Sequence, residues 1–200
     1  MKIRSTPWMA RAIALLVLTL SGTSPAFCQN LLPNGDFELG NTGFSSSAAF
    51  APSGPMVSGQ YSVRSDPSTA NGQWCQLDHT SGLGNMLICD GTPGSATAAW
   101  RTTRNLIVGD TYTFEAWVNN LICTNSYTDP VMELRVDGVT SAGPLTLPET
   151  PDQWIKLSAT FVATSSSTML EVVSTSVAGT GNDFAIDDVS LVSLSQAPPA

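Results

Sequence analysis

Two short alternating segments hold the side chains best suited to recognising another molecule. In Thr111–Val118, Tyr112, Phe114, Ala116 and Val118 share one face of an extended chain, which puts Glu115 and Trp117 on the other. In Val131–Val136, Glu133 and Arg135 point away from Leu134 and Val136. If the two segments pair, an indole sits among carboxylate and guanidinium groups. Sugars need that combination, because they have apolar C–H faces and a rim of hydroxyls. Trp74 and Tyr127 fall in loop-like stretches and are further candidates for ligand contact, since loop aromatics are held out toward solvent. The single histidine, His79, follows Asp78, but no nucleophile elbow and no H-E-x-x-H pattern accompanies it. It reads as a loop histidine bonded to its neighbours. No pair of carboxylates stands out as a glycosidase would require, so the expectation is a non-catalytic protein.

The elements that must position these groups are strands. Thr, Ser, Val, Gly and Pro are plentiful and the long unbranched residues that coat exposed helices are scarce. Strand-like runs lie at 60–65, 86–89, 96–108, 111–118, 131–136, 154–164, 168–175 and 183–191. Gly109-Asp110 and Asp137-Gly138 read as hairpin turns, and residues 40–59 read as a long loop. About eight short strands broken by turn residues predict an all-β jelly-roll sandwich of two antiparallel sheets. No internal repeat is visible.

Residues 1–28 have the layout of a signal peptide: Lys2, Arg4 and Arg11, an apolar run at 12–20, then small residues up to Ala26. The run is too short to span a bilayer. A lipid anchor on Cys28 is disfavoured by bulky Phe27. Residues 29–194 then form one domain and 195–200 a tail. The 172 residues from Gln29 carry five basic and sixteen acidic side chains, a formal charge of −11. That excludes nucleic acid as a default partner and disfavours anionic membranes; nothing suggests membrane insertion. An exported chain sits where disulfides persist. Cys75, Cys89 and Cys123 leave one thiol over, and three pairings are open. None has the close spacing of a zinc site.

The opening N-L-L-P-N-G-D-F-E at 30–38 and the closing F-A-I-D-D-V-S-L at 184–191 resemble carbohydrate-binding modules of the cellulose- and xylan-binding, CenC-like family. Between them, G-D-T-Y-T-F-E-A-W-V at 109–118 is similar to that family's central concave-face strand, and Trp154 to the start of its Trp-led strand. The resemblance covers 30–194. It implies a galactose-binding-like jelly roll whose glycan site lies on a sheet face or at loop tips. It also implies a structural calcium, for which the matching acids are Glu38 and Asp187, with Asp78 in the intervening loop. Hard cations take such carboxylates together with carbonyl oxygens. The expected function is a secreted, free-standing module that binds a polysaccharide or other glycan. The alternative is an extracellular structural or adhesive protein, at the cell surface, whose partner is another protein.

Overall fold

The computed structural model describes residues 29–123, 127–178 and 180–195. The signal-peptide expectation, and all of the tail beyond Ser195, lie outside them. No helix among the described residues is long and apolar enough to cross a membrane.

Among the described residues, ten strands form two facing sheets. They are β1 (Ala49–Phe50), β2 (Gln60–Arg64), β3 (Met86–Asp90), β4 (Thr97–Asn105), β5 (Thr111–Asn120), β6 (Val131–Val136), β7 (Val139–Thr146), β8 (Ile155–Val162), β9 (Ser167–Ser174) and β10 (Phe184–Ser193). One sheet has the order β1-β2-β3-β10-β5-β8 and the other β4-β9-β6-β7. The jelly-roll β-sandwich is therefore as expected, and the only helical element among the described residues is a 3-10 turn at Pro67–Thr69.

The inward residues of β5 behave as their alternation dictates: Phe114, Ala116 and Val118 are fully buried. They meet Met132 and Leu134 of β6 and Leu170 and Val172 of β9 in the inter-sheet core. Trp100 of β4 stacks across it on Phe114, ring centres 6.0 Å apart. The continuous apolar run of β3 has a different cause. Leu87 and Cys89 enter the inter-sheet core, while Met86 and Ile88 enter a second cluster on the sheet's other side, with Met56, Trp74, Leu121, Ile122 and Ala185. A strand covered on both faces has no reason to alternate.

Several connections differ from expectation. The 40–59 segment is partly regular. Ser45 and Ser47 bond to β4 at Arg101 and Ala98, then Ala49 and Phe50 pair with β2, so the segment crosses from one sheet to the other and covers an open edge. β7, which carries a cis Gly143–Pro144 bond, is an edge strand that a Gly-Pro sequence hides. Asp137-Gly138 does make a two-residue hairpin, both residues at positive φ. Gly109-Asp110 does not, because β4 and β5 belong to different sheets.

The two ends of the domain lock together. Asn30 donates from Nδ2 to the Val189 carbonyl at 3.0 Å and accepts from the Leu191 amide at 2.9 Å. Gly35 lies against the Val189 carbonyl so closely that no side chain would fit. Of the three possible pairings, Cys75–Cys123 is the disulfide, closing a separation of 48 residues. Cys89 is free, fully buried, and burial pushes its thiol well up.

Candidate functional site

Trp117 and Glu115 project from the outer face of the six-stranded sheet, beside Lys156 and Ser158 of β8 and Ser190 of β10. A cleft of about 450 Å³ opens there, lined by Trp117, Glu115, Asp36, Asp188, Ser190 and the asparagines at 30 and 34, among others. Glu115 accepts from Ser158 Oγ at 2.8 Å and pairs with Lys156 Nζ at 3.1 Å. Asp188 reaches the cleft because β10 is bulged between Asp187 and Ser190 and Asp188 has φ of 45°. A bulge redirects a side chain that regular alternation would send elsewhere.

His79 completes the arrangement. Its ring stacks on the Trp117 indole with centres 4.0 Å apart and planes 20° from parallel, and Trp154 approaches its edge at 5.7 Å. Nδ1 lies 2.6 Å from Asp188 Oδ2, and Thr80 Oγ1 donates to Asp188 Oδ1 at 2.8 Å. The histidine thus bonds a distant aspartate rather than its neighbour Asp78. One face of the indole is occupied by imidazole, so Trp117 is a half-covered wall rather than an open plate.

Four expected ligand residues sit elsewhere. Glu133 and Arg135 are on the outer face of the four-stranded sheet, so the pairing of β5 with β6 does not occur. They satisfy one another at 3.0 Å, and Thr140 Oγ1 donates to Glu133 at 2.8 Å. Trp74 is 1 % exposed, its Nε1 donating to Asp183 Oδ2 at 3.1 Å; it is core, not loop surface. Tyr127 is exposed, but at a second, smaller polar cavity of about 200 Å³ that also holds Asp90 and Asp183. Burial, reinforced by neighbouring Asp90, pushes the Asp183 carboxyl up to about 7. Asp36, Asp188 and Ser190 join the site without a sequence pattern that singles them out. The doubled Asp at 187–188 is the one signal available, and it says nothing of the bulge.

The three acids associated with calcium gather about the loop at 78–85. Glu38 accepts from the Asn85 amide at 2.8 Å, and Asp78 from the Ser81 and Gly84 amides at 2.8 and 2.7 Å. Asp187 accepts from the His79 amide at 2.8 Å and its own carboxylate caps the Asp188 amide at 2.8 Å. Gly84 is wedged between Glu38 and Asp78 with no room for a Cβ. Burial pushes Asp187 up to about 7, against the pull of those amides. The partners of these acids are backbone amides and the Ser81 and Thr80 hydroxyls, which would compete with a hard cation for the same carboxylate oxygens. Among the described residues no three His, Cys, Asp or Glu side chains converge as a metal cage. As arranged, the three acids clamp the 78–85 loop through its backbone amides.

No protein-family model matches the sequence, and no curated protein matches it. Solved structures do. An apo cyclase from Fischerella sp. superposes with a TM-score of 0.57 at 14 % identity, over 82 % of this chain and 95 % of that one. An arabinose-bound α-L-arabinofuranosidase does so with a TM-score of 0.55 at 16 % identity, over 83 % of this chain but 26 % of the larger enzyme. The EclA C-terminal domain, described as a sugar-binding protein, is 27 % identical over 64 % of this chain and 88 % of that one, with a TM-score of 0.49. At 14 and 16 % identity the first two speak for the sandwich fold alone, so function rests on the site itself.

Proposed function

We propose that the chain is a secreted, non-catalytic saccharide-binding module whose site is the Trp117 cleft. The observation that carries this is the uncovered half of the six-stranded sheet, where an indole wall stands beside Glu115, Asp188, Asp36 and Ser190 in a cleft of about 450 Å³. An apolar ring packs the C–H face of a sugar while carboxylates and a hydroxyl meet its hydroxyl groups. The Cys75–Cys123 disulfide suits an oxidising, extracellular setting. The cleft carboxylates Glu115 and Asp188 are already engaged by Lys156 and His79, which suits fixed hydrogen-bond acceptors for a ligand.

The test is a glycan-array screen of the purified chain, followed by calorimetric titration of any hit. Selective binding that Trp117→Ala abolishes while the fold stays intact supports the proposal. A blank array from a folded sample removes it.

A second reading has an observation of its own. Ile107, Val108, Val162 and Leu194 are 54–59 % exposed and cluster where Thr111 opens β5. Such a patch suits a protein partner, as the adhesive alternative requires. Co-precipitation from extracellular extract that Val162→Lys removes and Trp117→Ala spares would favour it.

A further inference from the structure

The polar groups of the Trp117 cleft are unequally free. Asn30 spends its amide on Val189 and its carbonyl oxygen on Leu32 and Leu191. Asn34 donates to Gly40 and Thr42 and accepts from Leu39. Both asparagines are consumed by the fold. What faces a ligand is therefore acceptor-rich: the carboxylates of Asp36, Glu115 and Asp188, with the Ser190 hydroxyl. Glu115 shares Lys156 and Asp188 shares His79, whereas the one described bond to the Asp36 side chain is a long 3.4 Å from the Glu38 amide. Lys156 stands at the margin of the cleft but is paired with Glu115. Among the described residues the lining itself holds no other basic side chain, and the chain beyond residue 28 carries a formal −11.

A ligand that matches this set must donate and is helped by positive charge. A protonated amino group on a sugar ring brings three N–H donors and one unit of charge while leaving the C–H face free to pack on Trp117. A uronate or sulfate would place an anion against three carboxylates, which costs affinity and slows encounter. We infer that the cleft selects glycans carrying free amino groups, of the glucosamine type, and rejects uronic acid and sulfated glycans. The inference rests on the saccharide-binding proposal and names the class of sugar it takes.

The experiment titrates the chain with short glucosamine oligomers, their N-acetylated counterparts, xylo-oligomers and oligogalacturonate, at low salt and at about 0.5 M salt. The free-amine oligomer is expected to bind about five- to tenfold tighter than its acetylated form at low salt, with the gap closing at high salt. Asp36→Asn should halve that preference or more, while Asp110→Asn, an acid outside the cleft, should leave it. Should Asp36→Asn disturb folding, the salt series on the unaltered chain decides the matter alone. Equal affinity for amine and acetylated forms, or tight binding of oligogalacturonate, with Trp117 still required, overturns the inference and leaves the saccharide site standing. If no oligomer's binding depends on Trp117, the site itself is refuted.

Discussion

The outer face of the six-stranded sheet is split into two halves that solve opposite problems with the same residue types. Beside β3, Trp74 belongs to the 51–77 segment that covers the sheet, packed with Met56, Met86 and Ile88, its Nε1 satisfied by Asp183. Two strands away, Trp117 also stands near an aspartate, but only His79 covers it and a cleft remains. Both are tryptophans with carboxylates close by. What separates the two is whether the indole lies on a loop that packs down on the sheet, as Trp74 does, or projects from a strand into a cleft, as Trp117 does. Residue type marks the candidates, and the element that carries each decides between them.

Truncating each indole in turn puts the contrast between the halves under the greatest load. Trp74→Ala is expected to cost about 3–5 kcal/mol in urea denaturation, from lost burial and the cavity left behind. Trp117→Ala should cost less than about 1 kcal/mol, because the side chain is only half covered, and should abolish saccharide binding. Equal destabilisation by the two would erase the distinction.

The disulfide belongs to the covered half, since Cys75 follows Trp74 and Trp74 bridges to Ile122 beside Cys123. Replacing both cysteines by serine is expected to cost about 2–4 kcal/mol, read as a shift in the urea midpoint, because a loop of this length is closed in the unfolded chain. His79 sits four residues from Cys75, so the same variant should also weaken ligand affinity.

A smaller and pH-resolved effect should come from Asp183. Its carboxyl, ordinarily near 3.8, is held at about 7 by burial and by Asp90, so the native state keeps a proton that the unfolded chain has released. That stability is fully present below about pH 4 and is lost as the pH rises through about 7. The difference in unfolding free energy between the unaltered chain and Asp183→Asn should therefore fall between about pH 4 and about pH 7. A flat difference curve would show that the covered half does not strain this carboxylate. The smallest effect should come from metal. Added calcium, or a chelator, is expected to move the melting temperature by less than about 2 °C, because amides already occupy Glu38, Asp78 and Asp187. A larger rise with calcium would show that the clamp opens to admit an ion.

Much of the fold is legible in the sequence. The alternation of Thr111–Val118 places Phe114 inward and Trp117 outward, and both are so placed. The unbroken Met86–Cys89 run marks a buried strand, and burial on both faces is why it is unbroken. What the sequence does not convey is which strands become neighbours. Alternation gives each strand two faces but no sheet, so Glu133 and Arg135, correctly turned outward on β6, stand on the far side of the sandwich from Trp117. Trp74 reads as loop surface because its stretch is polar and Gly-punctuated, while the apolar partners that bury it come from β3 and from the 121–122 corner. Asp188 escapes pattern reading because a bulge is a local backbone event, stabilised by side chains of a loop more than a hundred residues away. The site is thus only partly legible: Glu115 and Trp117 from pattern, the rest from the way the chain ends and the 78–85 loop meet.

Cys89 gives the fold a built-in timer. It sits fully buried near the end of β3 with its thiol held in the unreactive protonated form. A maleimide or an aromatic disulfide reagent can label it only in molecules whose sheets have parted, whereas every unfolded molecule exposes it. The rate of labelling under native conditions would then count openings of the six-stranded sheet directly, with no probe introduced and no residue changed.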